Sequence, residues 1–371
     1  MMSATILHLN TERNWRGGEA QTLMLARGLV RRGHRCLVVG QPRSPLVERA
    51  AESGLGVFPI VMRGELHLGA ARRIGEIIRA ESVSLLHYHT AHAVSLGTLA
   101  TCFSGRRPAV ASRRLSFPLR SRLLSRLKYS YRVDRVIAVS GAIRRHLLTQ
   151  GFDPRRVDVV HSGIELERFT GAARGRFRES LRGEGAGVGP GTFLIGTAGH
   201  LAGEKGFDLF IEAAALAARE LPRAMFVLVG RGEKEAALRN LASRLGVQEK
   251  VLFAGFREEM PEVFEGLNLF VLPSPLGEGS PAVVKEAMAA GVPLVATDLD
   301  GMEEITEDGR HALLVPPGNA PAMARAMVLL AGDAPLRERL VGAARRRVRE
   351  FAAERMIERT EAIYRSLGIV P

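Results

Sequence analysis

Glu278 and Glu286 stand eight residues apart in the segment PLGEGSPAVVKEAMAAGVPLVAT. Between them, Ser280-Pro281 reads as a helix start, with Ser as N-cap and Pro at the first helical position. Val283, Val284, Ala287, Met288 and Ala290 supply an apolar stripe at helical spacing. Gly291 then ends the helix, and Val292–Ala296 reads as a buried strand. This order puts Glu278 in the loop before a helix N-terminus and Glu286 more than a turn inside the helix. The backbone amides opening at Pro281-Ala282 and the partial positive charge of the helix end suit phosphate. Carboxylates beside such an end are poor phosphate ligands but good acceptors for hydroxyls. A ligand with a diphosphate in its middle and a sugar at each end fits both features, and a nucleotide-sugar has that shape. Two Glu at this spacing also occur on ordinary solvated helices. The surrounding loop, Ser-Pro start, helix, Gly-x-Pro turn and strand therefore carry the reading, not the pair alone.

A second segment has complementary chemistry. Gly199-His200-Leu201-Ala202-Gly203-Glu204-Lys205-Gly206 follows an apolar strand, Phe193–Ala198, and precedes a helical stretch from Phe207. A Gly-rich turn between strand and helix lets backbone N–H groups approach phosphate, and Lys205 adds a point charge.

Together the two segments resemble the signature of the family 4 retaining glycosyltransferases, whose fold is GT-B. The resemblance is strong over residues 193–316 and weak over 1–170. It implies that Glu278 contacts the transferred sugar and Glu286 the nucleotide ribose, and that Lys205 neutralises the diphosphate. His200 stands where the family usually has Arg, and an imidazole cannot fork to two oxygens as a guanidinium can. Gly17-Gly18, after the first strand, is similar to the family's N-terminal Gly loop, which reaches the donor phosphates. Gly230-Arg231 and Phe256 fall where family loops border the donor. The resemblance further implies a metal-independent enzyme with no cofactor beyond its UDP-, GDP- or ADP-sugar donor. Asp298-Leu299-Asp300 has the letters of a metal-binding DxD but reads as a turn.

On the acceptor side, His87-Tyr88-His89 ends a strand, and His92 follows. No neighbouring carboxylate or Cys completes a metal set. His87 reads as a packed core residue and His89 as a candidate in the acceptor pocket. Many family members have a His near the donor sugar after the next strand; here Arg113 occupies that place, which suits an anionic acceptor or donor group.

Charge is unevenly distributed. Residues 1–170 hold 27 Lys/Arg against 12 Asp/Glu, leaving 25 against 27 in the remainder. The excess points to an anionic partner for the first half. Between Arg113 and Arg135 the basic residues alternate with Leu119, Leu123, Leu124, Leu127 and Tyr131, the pattern of a helix that lies on an anionic membrane surface. With aromatics at 5% and no nucleic-acid-binding motif, a nucleic-acid partner is not expected. The two cysteines form no disulfide framework, and no apolar run reaches the length of a bilayer span. The expected setting is cytoplasmic, peripheral on the inner membrane face, with a surface glycan or glycolipid as acceptor. A sugar-nucleotide epimerase of the same fold, or a basic binding protein without catalysis, are the competing readings.

The elements that must position these residues are short apolar strands alternating with amphipathic helices, which predicts parallel sheets. Strands are expected at Thr5–Leu9, Arg35–Val39, Val57–Val61, Ser84–His87, Ala109–Ser112, Arg135–Val139 and Asp158–Val160. A second set is expected at Phe193–Ala198, Met225–Val229, Val251–Phe253, Leu269–Leu272, Pro293–Ala296 and Ala312–Val315. The Gly-rich stretch 171–192 reads as a linker. The expected architecture is thus α/β, with two Rossmann-like doubly wound domains facing across a cleft: an acceptor domain (1–170) and a donor domain (193–350). A final helix (351–371) returns to the first domain.

Overall fold

The computed structural model describes residues 3–114, 128–129, 131–170, 175–276 and 279–369. The chain divides into two units. Met1–Gly163 with Ala352–Pro371 forms the first, and Ile164–Phe351 the second.

The first unit is built on a seven-stranded, all-parallel sheet. Its strands are β1 (Thr5–Leu9), β2 (Arg35–Gly40), β3 (Gly56–Pro59), β4 (Leu85–Tyr88), β5 (Ala109–Arg113), β6 (Arg135–Ala138) and β7 (Val157–Val159). They lie in the order β3-β2-β1-β4-β5-β6-β7. Apolar residues such as Leu7, Leu9, Val38 and Val39 are buried on both faces, as a parallel sheet covered by crossover helices requires. One face is closed by the helices Gly17–Arg31 and Ala353–Ser366. The latter buries Ala353, Met356, Ile357, Thr360, Ile363 and Tyr364, a stripe at helical spacing. Gly28 lets the two helices approach, since a Cβ there would stand 2.1 Å from Ile357 Cδ1.

The second unit repeats the plan with six parallel strands. These are β8 (Phe193–Ala198), β9 (Ala224–Val229), β10 (Val251–Gly255), β11 (Leu269–Leu272), β12 (Leu294–Thr297) and β13 (Leu313–Val315). Their order is β10-β9-β8-β11-β12-β13. Residues 171–192, read from sequence as a linker, contain the helix Arg176–Gly183. Its Phe177 and Leu181 are buried in the core of the second unit. The charged stretch Ala334–Leu367 is broken by a 3-10 turn at Val348–Phe351.

Each sheet reverses its winding once, between β1 and β4 and between β8 and β11. Loops at the carboxyl ends of the strands flanking such a point form the ligand crevice of doubly wound sheets.

Candidate functional site

In the second unit, the loops after β8, β9 and β11 press together at the reversal point. Gly206 has φ +68°, and a Cβ on it would lie 2.1 Å from the Pro273 carbonyl oxygen. Gly230 has φ +142°, and a Cβ there would lie 1.8 Å from the Gly199 carbonyl oxygen. Only glycine fits either position. The Leu201 N–H donates to the Arg231 carbonyl at 3.0 Å, and the Lys234 N–H to the Leu201 carbonyl at 3.1 Å. Gly199, Lys205, Gly230, Arg231 and the start of the loop after β11 thus share one corner of the sheet. Lys205 ends the 3-10 turn Gly203–Lys205. Phe256 follows β10 and is exposed.

His200 is oriented by its neighbours. Its Nδ1 lies 2.8 Å from the Arg231 carbonyl, which only accepts, so Nδ1 carries the hydrogen. Nε2 then faces the Glu233 carboxylate at 3.3 Å. The ring is held on the loop after β9 and does not stand in for a forked guanidinium.

The helix carrying Glu286 spans Ala282–Ala290 and ends at Gly291. Its N-cap is Pro281, with no side-chain cap, which corrects the expectation that Ser280 caps and Pro281 opens the helix. Ser280 Oγ instead accepts a hydrogen bond from Lys285 Nζ at 2.5 Å. With Pro at the cap, no side-chain oxygen covers the first-turn amides, and they remain able to bind an anion. Lys285 is fully buried, with Nζ 4.9 Å from the centre of the Phe351 ring.

Glu286 meets solvent over part of its surface, yet its carboxyl is enclosed. Loss of water pushes its pKa up to about 7, against the weaker opposing pull of Arg168 and Lys285. Such a carboxyl gains most from hydroxyl donors on a ligand. Glu278 lies outside the described residues.

In the first unit, Gly17 and Gly18 open the helix Gly17–Arg31, whose start is boxed by Glu19, its Oε2 accepting from the Arg16 N–H at 3.1 Å. Among the described residues, nothing lies within 4 Å of where a Gly17 Cβ would stand. Arg113 and Arg114 separate as successive residues at a strand end do. Arg113 is hydrogen-bonded to Tyr129. Arg114 turns to the Gly loop, with Cδ 3.6 Å and Nε 4.0 Å from the Gly18 Cβ position. Sequence reasoning singled out Arg113 and missed Arg114. The alternation that puts Ser112 and Arg114 on one face was the available signal.

His89 is buried and stacked on His87, with ring centroids 4.1 Å apart. Its Nε2 lies 3.0 Å from His8 Nδ1, and His8 is the register partner of His87 across β1 and β4. One nitrogen from each of the three rings falls within a 4.8 Å cluster. His87 is already engaged, by Tyr364 Oη at 2.6 Å and Ser112 Oγ at 2.8 Å, as a packed core residue would be. Burial depresses all three, His8 to about 3 and the others well below 6.5, so the cluster is neutral. Of the basic series after Arg113, residues 115–127 lie outside the described residues. Among those described, no helix is long and apolar enough to cross a membrane.

Known proteins resemble this chain. Residues 15–168 match the family "Glycosyltransferase Family 4", and residues 192–333 match "Glycosyl transferases group 1". An alpha-D-kanosaminyltransferase of Streptomyces kanamyceticus is 34% identical over 46% of this chain and 45% of its own length. The lipopolysaccharide core biosynthesis mannosyltransferase LpsB of Rhizobium meliloti is 29% identical over 64% of this chain and 66% of its own. The chain therefore spans under half of the first relative and about two thirds of the second. Among solved structures, Anabaena Alr3699/HepE, crystallised with UDP-glucose, superposes with a TM-score of 0.87 at 21% identity, over 98% of this chain and 99% of that one. With its two doubly wound parallel sheets and both family matches, the chain belongs to glycosyltransferase family 4 and has the GT-B fold.

Proposed function

We propose that the protein transfers a sugar from a nucleoside diphosphate sugar to a glycan or glycolipid, with retention at the anomeric carbon and without a metal. One observation carries this reading. At the reversal point of the second sheet, the Lys205 loop abuts the loop leading to the helix of Glu286, whose end has no side-chain cap. Lys205 and the first-turn amides would stabilise the leaving diphosphate as its charge develops. The enclosed Glu286 would accept ribose hydroxyls, and Glu278 would orient the transferred sugar. Gly230, Arg231 and Phe256 would border the donor.

Support for the donor class comes from the fold neighbour crystallised with UDP-glucose. Support for a lipopolysaccharide-type acceptor comes from the relative LpsB and from the basic first half of the chain. That half would hold the enzyme at an anionic inner membrane face.

The test is transfer from a panel of UDP-, GDP- and ADP-sugars to lipid-linked acceptors, with and without EDTA. The anomeric configuration of the product is read by NMR. Retained configuration, unchanged by EDTA, is expected. Inversion or dependence on a divalent ion would refute the mechanism. Release of an epimerised sugar without acceptor would favour an epimerase.

A further inference from the structure

We propose that His8, His87 and His89 form a binding site for a transition-metal ion, zinc or copper, in the core of the first unit. The ion would be structural, and the proposal does not rest on the transferase reading. Enclosed there, it would exchange slowly and take no part in the transfer chemistry, which falls to other residues.

Local sequence hides this set, because one imidazole comes from another strand. Pairing of β1 with β4 sets His8 opposite His87, and the His89 N–H donates to the Leu9 carbonyl at 3.0 Å. Residues two apart in an extended chain share a face, so the three rings gather on one side of the sheet, at its reversal point. All are enclosed, His8 at 0%, His87 at 1% and His89 at 4% exposure. Their centroids lie 4.1, 5.3 and 5.7 Å apart. One nitrogen from each ring falls within 4.8 Å of the others, and His8 Nδ1 and His89 Nε2 are 3.0 Å apart. Tetrahedral ligands about 2.0–2.1 Å from zinc stand about 3.3 Å from one another. Small ring rotations therefore convert the cluster into a ligand set.

A purely polar core cluster accounts poorly for these contacts. His8 and His89 share one hydrogen bond, and in either tautomer His8 Nε2 and His89 Nδ1 stay buried with no partner among the described residues. Buried polar atoms normally have one. His87 holds Tyr364 Oη on one nitrogen and Ser112 Oγ on the other. A neutral imidazole donates from one nitrogen only. One of these hydroxyls therefore donates to a ring lone pair and, by rotating, frees it for an ion. The other then orients the ring, as outer partners of metal-bound histidines do. Burial keeps all three rings neutral, with their lone pairs available. Among the described residues no acid joins the set. Three imidazoles select zinc or copper over magnesium and calcium, which take oxygen ligands. The Arg114 charge is felt at His87 and His89, so the singly charged cuprous ion costs less there than a dication.

The test uses the full chain without a polyhistidine tag, dialysed at length against a chelator until elemental analysis finds no metal. Zinc, cobaltous and cuprous ions are then added one at a time. At least one of them is expected to raise the melting temperature progressively with concentration, as a ligand of the folded state does. X-ray absorption at the edge of that ion is expected to show three imidazoles at about 2.0–2.1 Å. His8→Gln should weaken binding tenfold or more. His92→Gln removes an exposed imidazole outside the cluster and should bind as the parent does. If His8→Gln fails to fold, the absorption spectrum of the loaded parent decides alone. The proposal is overturned if none of the three ions stabilises the parent, or if the spectrum shows fewer than three imidazoles. It is equally overturned if a folded His8→Gln binds as tightly as the parent, or if His92→Gln abolishes the response.

Discussion

Lys285 reaches back along its own helix to Ser280, Nζ to Oγ 2.5 Å, and so takes the one hydroxyl that stands where a helix cap would come from. The end of the helix keeps its first-turn amides free of a side-chain cap, and the buried Lys285 amine lies beneath it. Lys285→Met retains the apolar stem and frees Ser280. Its stability is expected to stay within about 1 kcal/mol of the parent, as for volume-conserving core changes, while nucleoside diphosphate affinity falls roughly tenfold, about 1.4 kcal/mol. Denaturant melts and calorimetry check both halves. Unchanged affinity would make the contact purely structural.

Glu286 gives a pH signature. Its folded pKa, about 7, lies above the ordinary 4.5, so the folded state holds a proton that the unfolded chain has released. Stability should therefore fall as pH rises from 4.5 to 7, by up to about 3 kcal/mol, and then level off. Glu286→Gln should remove this fall and be the more stable protein above pH 7, yet bind donor more weakly. Chemical denaturation at several pH values measures the first effect and donor titration the second.

The His8, His87 and His89 cluster works in the opposite direction. All three are depressed in the folded state, so below pH 6.5 the unfolded chain takes up protons that the fold refuses. Stability is expected to drop as pH falls from 6.5 towards 3, at most by about 4 kcal/mol per pH unit for three protons. His8→Leu should flatten that slope. An unchanged acid limb in the variant would show that other groups control it.

Tyr364 ties the final helix to the core of the first unit through His87. Tyr364→Phe keeps the ring and leaves a buried His87 nitrogen unpaired. A loss of about 1–3 kcal/mol is expected from the lost partner, read as a shift in denaturation midpoint. No shift would place the helix attachment in its apolar stripe alone.

Every strand predicted from the sequence exists, displaced by two residues at most at either end, because strands of a covered parallel sheet are nearly continuous apolar runs bounded by turn residues. What depended on which strands become neighbours was not legible. His8 looks like an isolated residue in TILHL until β1 pairs with β4 and sets it opposite His87. Arg114 was passed over for Arg113 because side-chain direction at a strand end hangs on a single residue of phase. Ser280 carried a strong cap signal, but the sequence gives no sign that a lysine five residues on turns inward to claim its hydroxyl. The helix Arg176–Gly183 was hidden in a Gly-rich stretch because tertiary burial of Phe177 and Leu181, not local propensity, holds it.

The most direct test is calorimetric titration of the parent and of Lys205→Ala and Glu286→Ala with UDP-, GDP- and ADP-sugars. Expected is binding of at least one donor by the parent and a loss of tenfold or more in each variant. A parent that binds none of the three, or variants that bind as the parent does, would contradict a nucleoside diphosphate sugar site in the second unit.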